Sequence, residues 1–224
     1  MAGIWDNKVK ELKTTADLGY KSMIKLQDFT SERELSFSML NSNVAISCVG
    51  DRAFYKTDAE YEEANIRVPM AIANSVKNSP HIKRFIYVSQ AGADPNSCSK
   101  RLRTKWIGEQ EVKAIYPDVT ILRPTMMFNL MDLNPTIAGK WGMQMKMFNR
   151  MAWQIEGQNG LVQPVYTVDV ALAAMSCLKM EETIGQSYDL GGPHTYNYQE
   201  IYDMFFDICQ VKPYTNVVKM EDAY

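Results

Sequence analysis

Residues Arg84 to Pro124 read RFIYVSQAGADPNSCSKRLRTKWIGEQEVKAIYPDVTILRP, and their pattern decides the fold. Phe85, Ile86, Tyr87 and Val88 stand side by side, as expected of a parallel strand buried on both faces. The run from Arg84 to Gln90 ends in polar residues, among them the hydroxyl of Ser89. A basic helical segment, Ser99 to Tyr116, follows. At about 100° per residue its Leu102, Trp106, Val112 and Tyr116 fall within one arc, and Lys105 lies on the same arc. The lysine is therefore expected to face the sheet. Val119 to Pro124 supplies a second apolar strand, stopped by the proline.

Outward from this centre the alternation continues. Toward the amino end, Met23 to Asp28 reads as a strand and Ser31 to Leu40 as a short helix capped by Ser31 or Thr30. Val44 to Val49 is the next strand, closed by Gly50. In the helical segment from Asp58 to Lys77, Ile66, Met70, Ala73 and Val76 share a face. Pro69 would cost about 3 kcal/mol inside a regular helix, so a kink or restart is expected there. Toward the carboxyl end the pattern blurs from Thr125 to Leu161. Val168, Ala171, Leu172, Met175 and Leu178 then mark a helix with Thr167 as N-cap. Ser187 to Leu190 is a short strand, and Asn197 with Glu200 is spaced as a capping box before a helix carrying Ile201, Met204, Phe205 and Ile208. Strand and helix alternating in this way make an α/β sheet. The expected organisation is one domain over residues 1–224, with 213–224 as an irregular tail.

Composition narrows the function classes. The 224 residues are 46% hydrophobic and 22% charged, as in an ordinary globular domain. A net charge of -2 offers no general attraction to phosphate backbones, which argues against nucleic acid. Cys48, Cys98, Cys177 and Cys209 are scattered without a CxxC pair, so reduced thiols are expected. His81 and His194 lack partners at zinc spacing, and no metal site is expected. No apolar run approaches the ~20 residues that span a bilayer. The opening MAGIWDNKVKELK contains Asp6 and Glu11 and lacks arginine, so it reads as neither a signal peptide nor a mitochondrial presequence.

The segments ELKTTADLG, EEANIRVPMAIA, RFIYVSQAGA, RLRTKWIGE, TILRPTMMF, QPVYTVDVA and YDLGGPHTYNYQEI occur in this order. Together they resemble the nucleotide-binding accessory subunits of mitochondrial NADH:ubiquinone oxidoreductase, respiratory complex I. These are an atypical branch of the short-chain dehydrogenase/reductase family, and the resemblance spans roughly Val9 to Val211. It implies a Rossmann-like parallel sheet with helices on both faces. In active members a serine at a strand end polarises a carbonyl. A tyrosine four residues before a lysine donates the proton, and the lysine lowers the tyrosine pKa and holds the ribose. Here Ser89 and Lys105 match, but Arg101 stands in the tyrosine position. Arginine stays protonated, so it cannot act as acid and base near neutral pH.

The resemblance thus implies a non-catalytic accessory subunit on the matrix side of the mitochondrial inner membrane. Its role would be assembly and stability near the junction of the matrix and membrane arms, with other complex I subunits as partners. An active NADP-dependent reductase or epimerase, and a cofactor-sensing regulator, are the alternatives. No GxxGxxG loop is present, so the amino-terminal glycine-loop βαβ unit that receives the pyrophosphate in the family is missing from this sequence. A second chain completing the sheet, a fragment of a longer protein, and a rearranged sheet all fit that absence. NADP(H) would be a structural ligand whose phosphates another polypeptide cradles. By resemblance Asp28 sits where relatives contact adenine, Gly50 where the chain passes the adjacent ribose, and Ser89, Lys105 and Pro124 around the nicotinamide half. Asp28 reads equally as a turn or capping aspartate, Gly50 as a plain turn, and Lys105 as a solvated helix residue. Gly185 and Gly191-Gly192 read as turn residues. The methionines from Met126 to Met151, with Trp141 and Trp153, suit a surface against partner subunits or the lipid boundary, or core filling.

Overall fold

Three of the apolar runs pair in parallel, each joined to the next through helix. The computed structural model describes residues 24, 26–50, 57–128, 151–155, 160–209 and 214–218. The strands are β1 (Val44–Ser47), β2 (Arg84–Val88), β3 (Thr120–Pro124), β4 (Met127–Phe128), β5 (Met151–Ile155), β6 (Leu161–Val162), β7 (Val165–Tyr166), β8 (Ser187–Leu190), β9 (Tyr196–Asn197) and β10 (Tyr214–Val218). The helices are α1 (Glu32–Met39), α2 (Asp58–Glu62), α3 (Val68–Lys77), α4 (Lys100–Ile115), α5 (Thr167–Cys177) and α6 (Tyr198–Cys209). The main sheet is four-stranded in the order β1-β2-β3-β8, parallel throughout.

Both faces of this sheet carry helix, as parallel sheets require. On one face Phe85, Tyr87, Val119 and Ile121 pack with Leu35 of α1, Ile72 and Val76 of α3 and Val112 of α4. On the other, Ile86 and Leu122 pack with Ala174 and Cys177 of α5. Arg84 ties α5 down at the opposite end of the sheet from the candidate site. Its Nη2 donates to the Cys177 carbonyl at 2.5 Å and to Thr183 Oγ1 at 2.7 Å.

The expected break at Pro69 is a π turn, Glu63–Arg67, between α2 and α3. Proline has no N–H, so the carbonyl four residues back, that of Asn65, receives no bond from it. That carbonyl lies against Gly108 of α4, where an added Cβ would overlap it. The Asn65 amide also donates to Thr104 Oγ1 at 3.0 Å. The break therefore lets the two helices approach backbone to backbone, and the buried stripe of α4 is Thr104, Lys105, Gly108, Glu109 and Val112. Leu102 and Trp106, expected to lead that stripe, are half-buried at its flank.

Local signals hold in several places. Ser31 caps α1, accepting from the Glu34 amide at 3.4 Å. Asn197 and Glu200 form the expected box, with bonds of 2.8 Å and 2.9 Å. Elsewhere the structure corrects the reading. Of the expected Met23 to Asp28 strand, the described residues lie in coil and bend, with Leu26 packed at the edge of the core. Thr167 is the first helical residue of α5 and Tyr166 its N-cap, because the Thr167 hydroxyl donates to the Phe128 carbonyl at 2.9 Å. Of the residues that marked α5, Val168 47%, Leu172 59% and Met175 51% are exposed and Leu178 packs on the core, while Ala174 and Cys177 meet Ile86 and Leu122 of the sheet. The helix is apolar on both sides, so periodicity alone selects neither. Within the expected tail, Tyr214–Val218 forms β10, parallel to β5; its Tyr, Thr and Val residues favour strand.

Candidate functional site

The carboxyl ends of β1, β2 and β3 make one rim, since the strands are adjacent and point the same way. Open α/β sheets bind ligands at such an edge. Gly50 follows β1, Ser89 follows β2, and Pro124 ends β3. The ladder continues past β2: Ser89 N donates to the Leu122 carbonyl at 2.7 Å and Ala91 N to that of Pro124 at 2.9 Å. Ser89 is thereby fixed beside β3. Its side chain is buried, 7% exposed, and its hydroxyl has no partner among the described residues. The Ser47 hydroxyl at the end of β1 is likewise buried and unpartnered among them. Buried hydroxyls left in this state are costly unless something polar meets them.

Lys105 reaches the same rim from α4. It is 4% exposed, and its ammonium packs against Gly50 so closely that a Cβ there would collide with Nζ. The solvated reading of Lys105 thus fails, and Gly50, just past β1, is a close-approach residue. Gly50, Ser89, Lys105 and Pro124 are all placed by the three strand ends and the helix behind them. Asp28 stands in the turn before α1. Its Oδ1 accepts from both the amide and the hydroxyl of Thr30 at 2.7 Å. Those two bonds, the hydroxyl's first, hold its carboxyl below the usual aspartate range.

A charged pair that sequence reading passed over stands one turn along α4 from Lys105. Glu109 is fully buried and receives Arg123 Nε at 3.1 Å on each oxygen and Nη2 at 2.6 Å. Bonding to Glu109 raises the arginine pKa further, against the opposing effect of burial. Two signals point to it: Glu109 is four residues from Lys105 on the sheet-facing arc, and Arg123 interrupts an apolar strand, where a charge needs a partner. Tyr87 lies in the same core, and burial, reinforced by the Glu109 charge, pushes its phenol well above the ordinary range. It cannot replace the missing tyrosine as an acid-base group near neutral pH.

Beyond Pro124, three of the quoted motifs meet. Thr125 N donates to the Leu190 carbonyl at 3.0 Å, and its hydroxyl donates to the Gln163 carbonyl. Gly192 lies against the Pro164 carbonyl and Gly191 against the Gln163 side chain, with no room for a Cβ at either. These two glycines serve close packing rather than a turn; Gly185, at φ +73°, is the turn residue. The methionine-rich stretch falls largely outside the described residues, of which Met126 and Met127 are exposed. Among the described residues no group of three or more His, Cys, Asp or Glu could hold a metal, and no helix is long and apolar enough to cross a membrane. Cys48, Cys98 and Cys177 are free thiols.

The rim offers a buried cation and hydroxyls. A lysine ammonium has three donors and a serine hydroxyl can donate or accept, which suits a carbonyl or the hydroxyls of a sugar. Four residues before the lysine stands Arg101 rather than a phenol.

No established family profile matches the chain. It is 32% identical over 211 residues to the mitochondrial NADH dehydrogenase [ubiquinone] 1 alpha subcomplex subunit 9 of Arabidopsis thaliana, covering 93% of this chain and 50% of that protein. It is 31% identical over 216 residues to the mitochondrial NADH-ubiquinone oxidoreductase 40 kDa subunit of Neurospora crassa, covering 94% and 53%. The chain thus spans about half the length of the curated relatives it matches. Among solved structures, UDP-glucuronic acid 4-epimerase from Bacillus cereus in complex with NAD superposes with a TM-score of 0.76 at 16% identity, covering 96% of this chain and 73% of the epimerase. The dTDP-4-dehydrorhamnose reductase of Bacillus anthracis, in complex with NADP, gives 0.71 at 15% identity over 96% and 81%. The fold is the Rossmann-like fold of short-chain dehydrogenase relatives, and over nine-tenths of its length the chain is homologous to about half of two mitochondrial NADH dehydrogenase subunits, the alpha subcomplex subunit 9 of Arabidopsis and the 40 kDa subunit of Neurospora.

Proposed function

We propose that this chain is a non-catalytic accessory subunit of mitochondrial NADH:ubiquinone oxidoreductase. It would stand on the matrix side of the inner membrane and support assembly and stability where the matrix and membrane arms meet. One observation carries the non-catalytic part: the serine and lysine of a reductase rim are placed and buried, yet Arg101 occupies the position of the proton donor. The relatives from Arabidopsis and Neurospora, both named as subunits of the respiratory NADH dehydrogenase, support the assembly.

A dinucleotide such as NADP(H) fits this rim in part. Ser89, Lys105, Gly50 and Pro124 would hold its nicotinamide half, with the unpartnered Ser89 hydroxyl as the supporting observation. Asp28 would contact its adenine. Its phosphates would lie on a glycine-rich loop from outside these 224 residues, because no GxxGxxG occurs here. When bound, such a cofactor supplies hydride chemistry in an enzyme; here it would serve as a structural ligand.

The test uses the native assembly and the purified chain, each supplied with NADPH or NADH and a panel of carbonyl acceptors. The chain is expected to turn over neither, and Lys105→Ala is expected to change nothing in that assay. A turnover by the chain that Lys105→Ala abolishes would overturn the reading.

A further inference from the structure

The first turns of α4 carry Lys100, Arg101, Arg103 and Lys105, and no acidic residue stands in its first turn. Helices favour the reverse, because the amino end of the macrodipole is already positive. Ser99, the N-cap, makes no side-chain cap bond. Two of the cations hold other parts of the chain. Lys100 pairs with Asp58 of α2, and Arg103 Nη1 donates to the carbonyls of Ser97 at 2.5 Å and Cys98 at 2.9 Å, fixing the loop that enters the helix. The other two share a side. Lys105 belongs to the buried stripe of α4, and Arg101, half-buried and four residues before it, continues that stripe by one turn.

A buried hydroxyl is directed at the same side of the helix. Ser89 continues the ladder of β2, and strand alternation puts it on the face of Phe85 and Tyr87, which pack with Val112 of α4. It is 7% exposed, and its Oγ has no partner among the described residues. The loop beyond it closes on the first turn of α4, where Leu102 Cδ1 stands 3.8 Å from the position a Cβ on Gly92 would take. We infer that this side of the rim is a phosphoryl-binding site, with Arg101 as its principal ligand, Lys105 as the second cation and the Ser89 hydroxyl as a further donor. A guanidinium presents a planar fork of donors and a lysine a compact point charge. A phosphate monoester brings about -1.5 to -2 charge and three acceptor oxygens, which matches two cations and a hydroxyl better than the single charge of a carboxylate does. The amino end of a helix adds to the preference. The group belongs to free phosphate or to a phosphate monoester. The inference rests on the proposed reading of Arg101 in place of the proton donor, and it names the ligand class that this replacement admits.

The experiment titrates inorganic phosphate into the purified full chain at constant ionic strength and follows the phosphorus NMR linewidth, with glycerol phosphate as the monoester arm and acetate as a competitor. Saturable broadening that equimolar acetate does not reverse is expected, and the arm that binds tighter identifies the source of the group. Arg101→Gln is expected to weaken binding about tenfold or more, as the loss of a charge-assisted bond does. Ser89→Ala alters no charge and is expected to weaken it about threefold. Lys179→Gln, at an exposed position beyond the Cys177 end of α5, is expected to change nothing, and circular dichroism checks the fold of each variant. Absence of saturable broadening, displacement by acetate, or equal binding by the chain and both rim variants would overturn the inference, as would an equal loss in Lys179→Gln. No phosphate binding together with no carbonyl turnover would remove the site and leave the non-catalytic reading standing. Phosphate binding that Arg101→Gln weakens, together with a turnover that Lys105→Ala abolishes, would do the reverse.

Discussion

Lys105 of α4 packs its ammonium against Gly50 just past β1, and the space between them admits no side-chain carbon. The helix that follows β2 is thereby registered against the neighbouring strand, and a buried positive charge is held on the rim beside a buried hydroxyl. The lysine faces inward because α4 buries a narrow stripe, and Gly108 narrows it by letting α4 meet the π turn.

Gly50 and Gly108 are both crowded, but by different atoms, and their alanine variants should separate. At Gly50 the obstacle is the flexible end of a lysine, so Gly50→Ala should cost under about 1 kcal/mol while displacing the ammonium. At Gly108 the obstacle is the Asn65 carbonyl, which is backbone and cannot step aside, so Gly108→Ala should cost about 1–3 kcal/mol or more. Urea unfolding of the two variants checks this, and equal losses would contradict it.

Glu109 is fully buried and depends on Arg123 for its compensation. Arg123→Ala should therefore lower stability by about 3–5 kcal/mol, the usual cost of stranding a buried charge. Combining Glu109→Leu with Arg123→Met should recover much of that loss, because an apolar pair of similar volume leaves no charge unpaired. A double variant no more stable than Arg123→Ala would show that the pair does more than compensate itself.

Asp28 tests the turn reading by titration. Its carboxyl is shifted down mainly by the Thr30 hydroxyl and then by the Thr30 amide. A depressed folded-state pKa means that its stabilising effect is present above the unfolded-state value and lost as pH falls through the folded one. Thr30→Val keeps the amide and removes the hydroxyl, so the Asp28 titration followed by NMR should move up without fully reaching the ordinary aspartate value. An unchanged midpoint would mean that the hydroxyl bond is absent in solution.

The central unit was legible because β2, α4 and β3 each declare themselves locally. β2 is a continuous apolar run, Pro124 stops β3, and the arc containing Lys105 fixes which way that residue faces. Asn197 and Glu200 were legible for the same reason, being a reciprocal pair three residues apart. What escaped was long-range. The approach of Gly192 to Pro164 joins residues far apart in sequence, and the Glu109–Arg123 pair joins a helix to the following strand. In α5, apolar residues on both sides left the buried face undecided. Gly50 and Ser89 could be named from resemblance, but the contact of Lys105 with Gly50 requires the sheet to be assembled.

The two faces of α5 give a further check. Ala174 is 7% exposed beneath the sheet and Leu172 is 59% exposed on the outside. Ala174→Asp should destabilise the isolated chain by about 3 kcal/mol or more, since it buries an unpaired charge, whereas Leu172→Asp should stay within about 0.5 kcal/mol. Thermal unfolding of both variants measures it; the opposite ranking would make the side of Leu172 the core face.

The accessory role is tested most directly by native-gel migration of the tagged, full chain from gently solubilised mitochondrial membranes, read alongside in-gel NADH dehydrogenase activity. The account predicts that the chain migrates with the large NADH dehydrogenase assembly and that depleting the chain lowers the amount of that assembly. Migration of the chain only as a free monomer or homodimer, with the assembly undiminished after depletion, would contradict it.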